Sequence, residues 1–258
     1  MAPSTTRVWT VAEGRAQRAR GEHDHEAADR GAPGRSAFDL ALFDLDFTLI
    51  PSDSGLRWAR FMVAEGVLPG GSDEAYLNVC RSYVAGRIDI ETLHAFAART
   101  LLAVDADAIP GLQARFEAAV RAELPAAARD LVAQHLEAGA LCCIVTTTNE
   151  IVARPYARAF GIPNLLASVP ACEDGRFCGA YVGALCHGAG KVARVEDWLR
   201  GSAAQGGVSR PRRSIFYSDS ASDLPLLEWA DEAVAVRPDA RLRAHAELRG
   251  WRIIDAPA

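Results

Sequence analysis

The chain lacks several features that would place it in other classes of protein. Its 258 residues hold no uninterrupted apolar stretch of the roughly 18 to 20 residues that a membrane helix requires, and the N-terminus has no apolar secretory core. There is no basic excess either: 28 Lys and Arg stand against 33 Asp and Glu, a formal net charge of −5. A surface that neutralises phosphate backbones needs concentrated positive charge, so nucleic acid is a poor match as partner. These absences predict a cytoplasmic protein that targets neither a membrane nor a nucleic acid. Zinc-type ligand pairs are missing too. The cysteines Cys80, Cys142, Cys143, Cys172, Cys178 and Cys186 include no C-x-x-C pair and have no matching histidine set. They read as reduced packing residues, with Cys142 and Cys143 on opposite faces of one buried strand.

Half of the residues are hydrophobic and 24% are charged, enough for one sizeable core with a small companion domain. Residues 1–36 show neither helical nor strand periodicity and read as a disordered tail. His23 and His25 within it read as solvated side chains, and its acidic residues count against a transit peptide. From Phe38 the run AFDLALFDLDFTLI is nearly continuous apolar sequence broken by Asp44 and Asp46, as in a strand buried on both faces of a parallel sheet. Residues 54–128 then carry four helical segments separated by Gly, Pro or Asp. Beyond them, helix AAARDLVAQHLEAGA, strand LCCIVTTTN and helix EIVARPYARAFG follow, with Gly161 as the stop. Next come strand NLLASV, a hairpin turning at Asp174–Gly175, helix KVARVEDWLRG, strand SIFYSD, helix SDLPLLEWA, strand EAVAV, a last helix and strand WRIID. The alternation predicts an α/β fold: a Rossmann-like three-layer core with a mostly parallel sheet, built from residues 37–53 and 129–258. The helical unit of residues 54–128 is inserted after the first core strand.

Ligands of such sheets bind at the carboxyl ends of the strands, where four polar clusters fall: Asp44/Asp46/Thr48, Thr146, Lys191 and Asp219/Asp223. Each alone has a plain reading as a turn residue, helix cap or solvated charge. Their conjunction at one edge is more informative. Asp44 and Asp46, two apart, would project to the same side of extended backbone. With Asp219 they gather carboxylates that repel unless a cation lies between them, and oxygen-only ligands suit Mg²⁺. Lys191 supplies the positive charge that a dianionic phosphate still requires.

In this order FDLDFTL, IVTTTN, GAGKV and YSDSASDLPLLE resemble the four motifs of the haloacid dehalogenase superfamily of phosphohydrolases, a resemblance spanning residues 38–256. YVAGRIDIE, TTTNEIVARPYARAFG and GRFCG look closest to its subfamily IB, the phosphoserine-phosphatase-like branch, which includes phosphoserine and histidinol-phosphate phosphatases. The resemblance implies that the insert is a C1-type cap. It also implies Mg²⁺-dependent hydrolysis of a small phosphorylated metabolite through an aspartyl phosphate. Asp44 would be the nucleophile, Asp46 the general acid and then base, and Thr146 and Lys191 the phosphate partners. Asp44, Asp46, Asp219 and Asp223 would form the metal set, and Asp53, Thr147 and Ser222 would contact substrate.

Three departures bear on the substrate. Asp53 stands near where the phosphoserine branch carries an acidic residue, usually Glu. TLHAFAARTLL has Ala or Phe where that branch places a carboxylate-binding arginine, with Arg87 shortly before and Arg99 shortly beyond. Ser222 replaces a common Asn. An amino-alcohol phosphate such as histidinol phosphate is therefore expected ahead of phosphoserine, with Asp53 either pairing the amine or capping the turn after Pro51. Phosphotransfer to an alcohol, and a catalytically silent binding module, are the competing readings; the sequence does not fix the oligomeric state.

Overall fold

The computed structural model describes residues 38–204 and 211–255. The tail expected over residues 1–36 lies outside the described residues. The first strand, β1 (Leu40–Phe43), is buried along its whole length. Leu40 and Leu42 pack in one apolar layer with Cys143, Val145 and Phe216, while Ala41 and Phe43 pack in the other with Cys142, Ile144 and Tyr217. The two-residue period of a strand thus divides the interior into layers above and below the sheet. Cys142 and Cys143 fall on opposite sides, and all six cysteines are free.

The strand is shorter than the apolar run that contains it. After Phe43 the chain leaves the ladder: Phe47 adopts a left-handed φ of 57°, and the N–H groups of Leu49 and Ile50 turn back to the Leu45 carbonyl. Asp44 and Asp46 therefore do not share an extended strand as expected, yet both side chains line the same cavity.

Four helices follow: α1 (Ser54–Ala64), α2 (Ser72–Val84), α3 (Ile90–Thr100) and α4 (Ile109–Arg121). Asp53 and Asp89 cap α1 and α3 by accepting the Leu56 and Thr92 N–H groups, as short acidic side chains do at helix starts. The remaining elements are α5 (Ala126–Glu137), β2 (Leu141–Asn149), α6 (Glu150–Phe160), β3 (Asn164–Glu173), β4 (Arg176–Val182), α7 (Ala189–Ala204), β5 (Ser214–Ser218), α8 (Leu224–Trp229), β6 (Glu232–Val236), α9 (Ala240–Arg249) and β7 (Arg252–Ile254). α1 and α4 lean on α6 through Trp58, Met62, Leu112, Phe116 and Val120, which join Tyr156 and Phe160 in one apolar cluster. α2 buries no residue completely.

The sheet runs β4-β3-β2-β1-β5-β6-β7. Every neighbouring pair is parallel except β3 and β4. These two are joined at Asp174–Gly175, whose φ angles of 48° and 78° match a two-residue hairpin turn. With β1 between β2 and β5, the carboxyl ends of the three strands lie side by side and bring residues distant in sequence to one edge. The β2 register shifts between Val145 and Asn149, a local irregularity that re-aims the Thr146–Thr148 segment at that edge. Among the described residues no helix is long and apolar enough to cross a membrane.

Candidate active site

Lys191 is the centre of the edge. It stands in the first turn of α7 and is 1% exposed, with Nζ donating to Asp44 Oδ1 at 2.8 Å and to Asp223 Oδ2 at 2.7 Å. Burial works against its charge, but Asp223 and Asp44 outweigh burial and leave its pKa raised. The turn that delivers it needs the preceding glycine, because a Cβ on Gly190 would meet the Leu185 carbonyl oxygen at 2.3 Å. The Ser218 hydroxyl donates to the same Asp223 oxygen, Oδ2, at 2.7 Å. Its Oδ1 is buried without a hydrogen-bond partner.

Asp44 extends β1 by one ladder bond, its N–H donating to the Tyr217 carbonyl at 2.9 Å. Its pKa is raised to about 7, first by burial and then by Asp223 and Asp46, against the opposing pull of Lys191. Asp219, at the end of β5, is raised to about 8 by burial and by Asp44, although Thr48 Oγ1 donates to its Oδ1 at 3.1 Å. Three carboxylates with one buried ammonium make a site short of positive charge.

Asp46 sits differently. Its Oδ1 accepts the Ser54 N–H at 2.8 Å and its Oδ2 accepts the Thr148 hydroxyl at 2.7 Å. Burial and then the Asp53 charge raise its pKa to about 7, and both oxygens are occupied by donors from α1 and β2. The carboxylates left to serve a cation are those of Asp44, Asp219 and Asp223. This oxygen-only set fits a hard divalent ion such as Mg²⁺: burial and then mutual repulsion have raised two of the acids, and it includes one orphaned oxygen. Among the described residues no three such ligands already converge on a metal position.

Thr146 is fully buried, with Oγ1 accepting the Thr148 N–H at 3.2 Å. Its hydroxyl proton remains available to an incoming anion. Thr147 Oγ1 lies 3.4 Å from His187 Nδ1, and Ser222 is tied to Ser220 at 3.0 Å between hydroxyl oxygens. Asp53 keeps its capping bond to Leu56 at 2.7 Å and has the Cys80 thiol 3.9 Å from Oδ2. All of them line one cavity of about 290 Å³ between the sheet edge and the helical insert, a volume suited to a small metabolite.

Ser54, Thr148, Ser218 and Arg237 were not singled out by sequence. Arg237 donates to the carbonyls of Phe47 and Thr48 at 2.6 and 3.0 Å, bracing the turn that follows Asp44. Ser54 and Arg237 lie outside the four motifs, and Thr148 and Ser218 lie within two of them as common polar residues whose neighbours carry the signal.

The model of the haloacid dehalogenase-like hydrolase family matches residues 41–228. A histidinol-phosphatase of Neisseria meningitidis is 33% identical over 222 residues, 84% of this chain and 98% of that protein. A phosphoserine phosphatase of Mycobacterium tuberculosis is 30% identical over 246 residues, 90% of this chain and 78% of its own length. Among solved structures, a protein of unknown function from Bordetella pertussis superposes with a TM-score of 0.75 at 38% identity, covering 84% of this chain and 97% of that one.

Proposed function

The chain belongs to the haloacid dehalogenase-like hydrolases, and from that premise we propose that it is a phosphatase acting on a small amino-alcohol phosphate, histidinol phosphate ahead of phosphoserine. The observation that carries the reaction type is the buried chain Asp44–Lys191–Asp223 set beside a second, separately held carboxyl, Asp46. Asp44 Oδ2, the oxygen not bonded to Lys191, attacks phosphorus as the ester P–O bond breaks, giving an aspartyl phosphate. Asp46, with a pKa near 7, gives its proton to the leaving alkoxide. It then takes one from the water that cleaves the aspartyl phosphate. Thr146 donates to a phosphate oxygen, and Lys191 holds the nucleophile in place. Asp44, Asp219 and Asp223 would hold Mg²⁺, which when bound draws charge from the phosphoryl group.

A pH-dependent metal effect follows from the burial and crowding of these acids. Asp44 and Asp219 have folded-state pKa values of about 7 and 8, raised from 3.8. The stability they contribute is therefore full below the unfolded value and lost as pH rises through 7 to 8. A bound cation relieves that loss by replacing the protons. Mg²⁺ is expected to raise the Tm more at pH 8 than at pH 5.5, measured by thermal melting with Mg²⁺ against EDTA. Equal shifts at both pH values would remove these carboxylates from the metal set.

The choice of substrate rests on what faces the cavity. Among the described residues no arginine lines it. Arg87 is exposed and bonded to the Ser82 hydroxyl, and Arg99 is exposed with its side chain in a separate surface groove. A substrate carboxylate buried here would have no cationic partner of its own, at a cost of several kcal/mol. An ammonium group has Asp53. Asp53→Asn keeps an oxygen for the Leu56 N–H, so the cap survives while the charge goes. The expected result is a KM about tenfold higher for an amine-bearing ester, the scale of one lost charge-assisted contact, with little change in kcat or Tm. Comparing kcat/KM for histidinol phosphate and phosphoserine tests the ranking, and a clear preference for phosphoserine would reverse it.

A further inference from the structure

The cavity floor is accounted for by the phosphate chemistry, but its upper wall is not. His94 of α3 lines the cavity and is 4% exposed, and its Nδ1 is buried without a hydrogen-bond partner. Its ring meets Tyr181 of β4 in a T-shaped contact, with centroids 5.0 Å apart and planes at 70°. His187 lines the same cavity and is near enough to act electrostatically on His94. The other α3 residues lining the cavity are Ile90, Leu93, Ala97 and Thr100, so the imidazole stands unpaired on a mostly apolar helix face. A buried polar group left unsatisfied is costly and calls for an explanation. Burial, helped by His187, pushes the His94 pKa down to about 4. The uncharged ring offers one N–H donor and one nitrogen acceptor.

We propose that His94, backed by Tyr181, is a specificity-determining residue whose unpartnered ring nitrogen hydrogen-bonds a neutral nitrogen heterocycle at the end of the substrate remote from the phosphate. The inference rests on the phosphatase reading of the cavity and deepens it. Phosphate lies at Lys191 and Thr146, the amine faces Asp53, and a planar ring lies against His94 and Tyr181. A saturated or carboxylate-bearing substrate leaves this corner unsatisfied, and an imidazole completes it.

The test reads binding rather than turnover, using histidinol and 2-amino-1-propanol, amino alcohols that differ by the ring. By calorimetric titration, the wild-type protein is expected to bind histidinol at least tenfold more tightly, a difference of about 1.4 kcal/mol. His94→Phe keeps a ring against Tyr181 and removes both nitrogens, and should bring the two affinities within about twofold. His94→Gln, which restores a donor and an acceptor, should recover part of the preference. Equal affinities in the wild type would overturn the proposal, even if His94→Phe failed to fold. So would a loss that fell equally on both ligands in the two variants, since that marks a purely structural role. Phosphate release is a separate measurement: its absence from the wild type would sink the phosphatase reading and leave the ring preference standing or falling on the titrations.

Discussion

Asp44→Asn should lower kcat for any phosphate ester by at least about 10³-fold, because an amide cannot take the place of the attacking carboxylate. The fold should survive. The amide is nearly isosteric, its oxygen can still accept from Lys191, and Asp44 is itself one of the crowded acids whose pKa stands near 7. Its Tm at pH 8 is expected to equal or exceed that of the wild type. Steady-state release of phosphate, with circular dichroism as the check on folding, decides the matter. A variant retaining near wild-type kcat would exclude the covalent route. The proposed intermediate also bears on phosphotransfer: adding a small alcohol to the wild-type reaction should leave the yield of inorganic phosphate unchanged if water alone resolves the adduct.

Lys191→Met should affect both activity and stability. Nζ is the only cation bonded to Asp44 and Asp223 among the described residues, and all three groups are at least nine-tenths buried. Removing one partner of such a set leaves uncompensated buried charge, a cost of about 3 kcal/mol. For a chain of this size that is a fall in Tm of roughly 6 to 12 °C. The penalty should depend on pH. With Lys191 gone, the main influence lowering the Asp44 pKa is lost, so its folded value moves above about 7. A raised acid destabilises the folded state only as it ionises, so the deficit should be small at pH 5 and grow as pH rises through 7. Melting curves at pH 5 and pH 8 would show it, and a deficit independent of pH would mean that Lys191 acts through packing alone. Phosphate release should be nearly lost at both values.

How much of this was legible in the sequence varies by residue. Asp44, Thr146, Lys191, Asp219 and Asp223 each terminate an apolar run or open a helix, and a parallel sheet brings such positions to one edge. The hairpin was readable because Asp174–Gly175 accepts the two positive φ angles that its turn requires. The Asp46 environment was not readable. Periodicity extends β1 past Phe43, whereas the chain turns there and spends the Asp46 oxygens on Ser54 and Thr148. That depends on where α1 begins and on the irregularity in β2, and neither leaves a mark on composition. Asp53 kept two readings because a helix cap and a substrate partner call for the same side chain. The structure shows it capping α1 at the cavity wall. His94 reads in sequence as an ordinary helical residue. Only its burial without a partner distinguishes it.

The division of labour within the helical insert affects how substrate choice can change over generations. α1 and α4 are committed to the apolar cluster against α6, and most substitutions at Trp58 or Phe116 would open a cavity costing about 3 to 5 kcal/mol. α2 is free of that constraint, since none of its side chains is fully buried, yet Tyr76, Cys80 and Tyr83 look into the cavity. Replacements at such positions usually alter stability by less than those in a core. Of the helices that line the cavity, α2 is thus the one with no fully buried residue to constrain it. New preferences for the esterified alcohol can arise by drift along α2 while the machinery at Asp44 and Lys191 stays fixed.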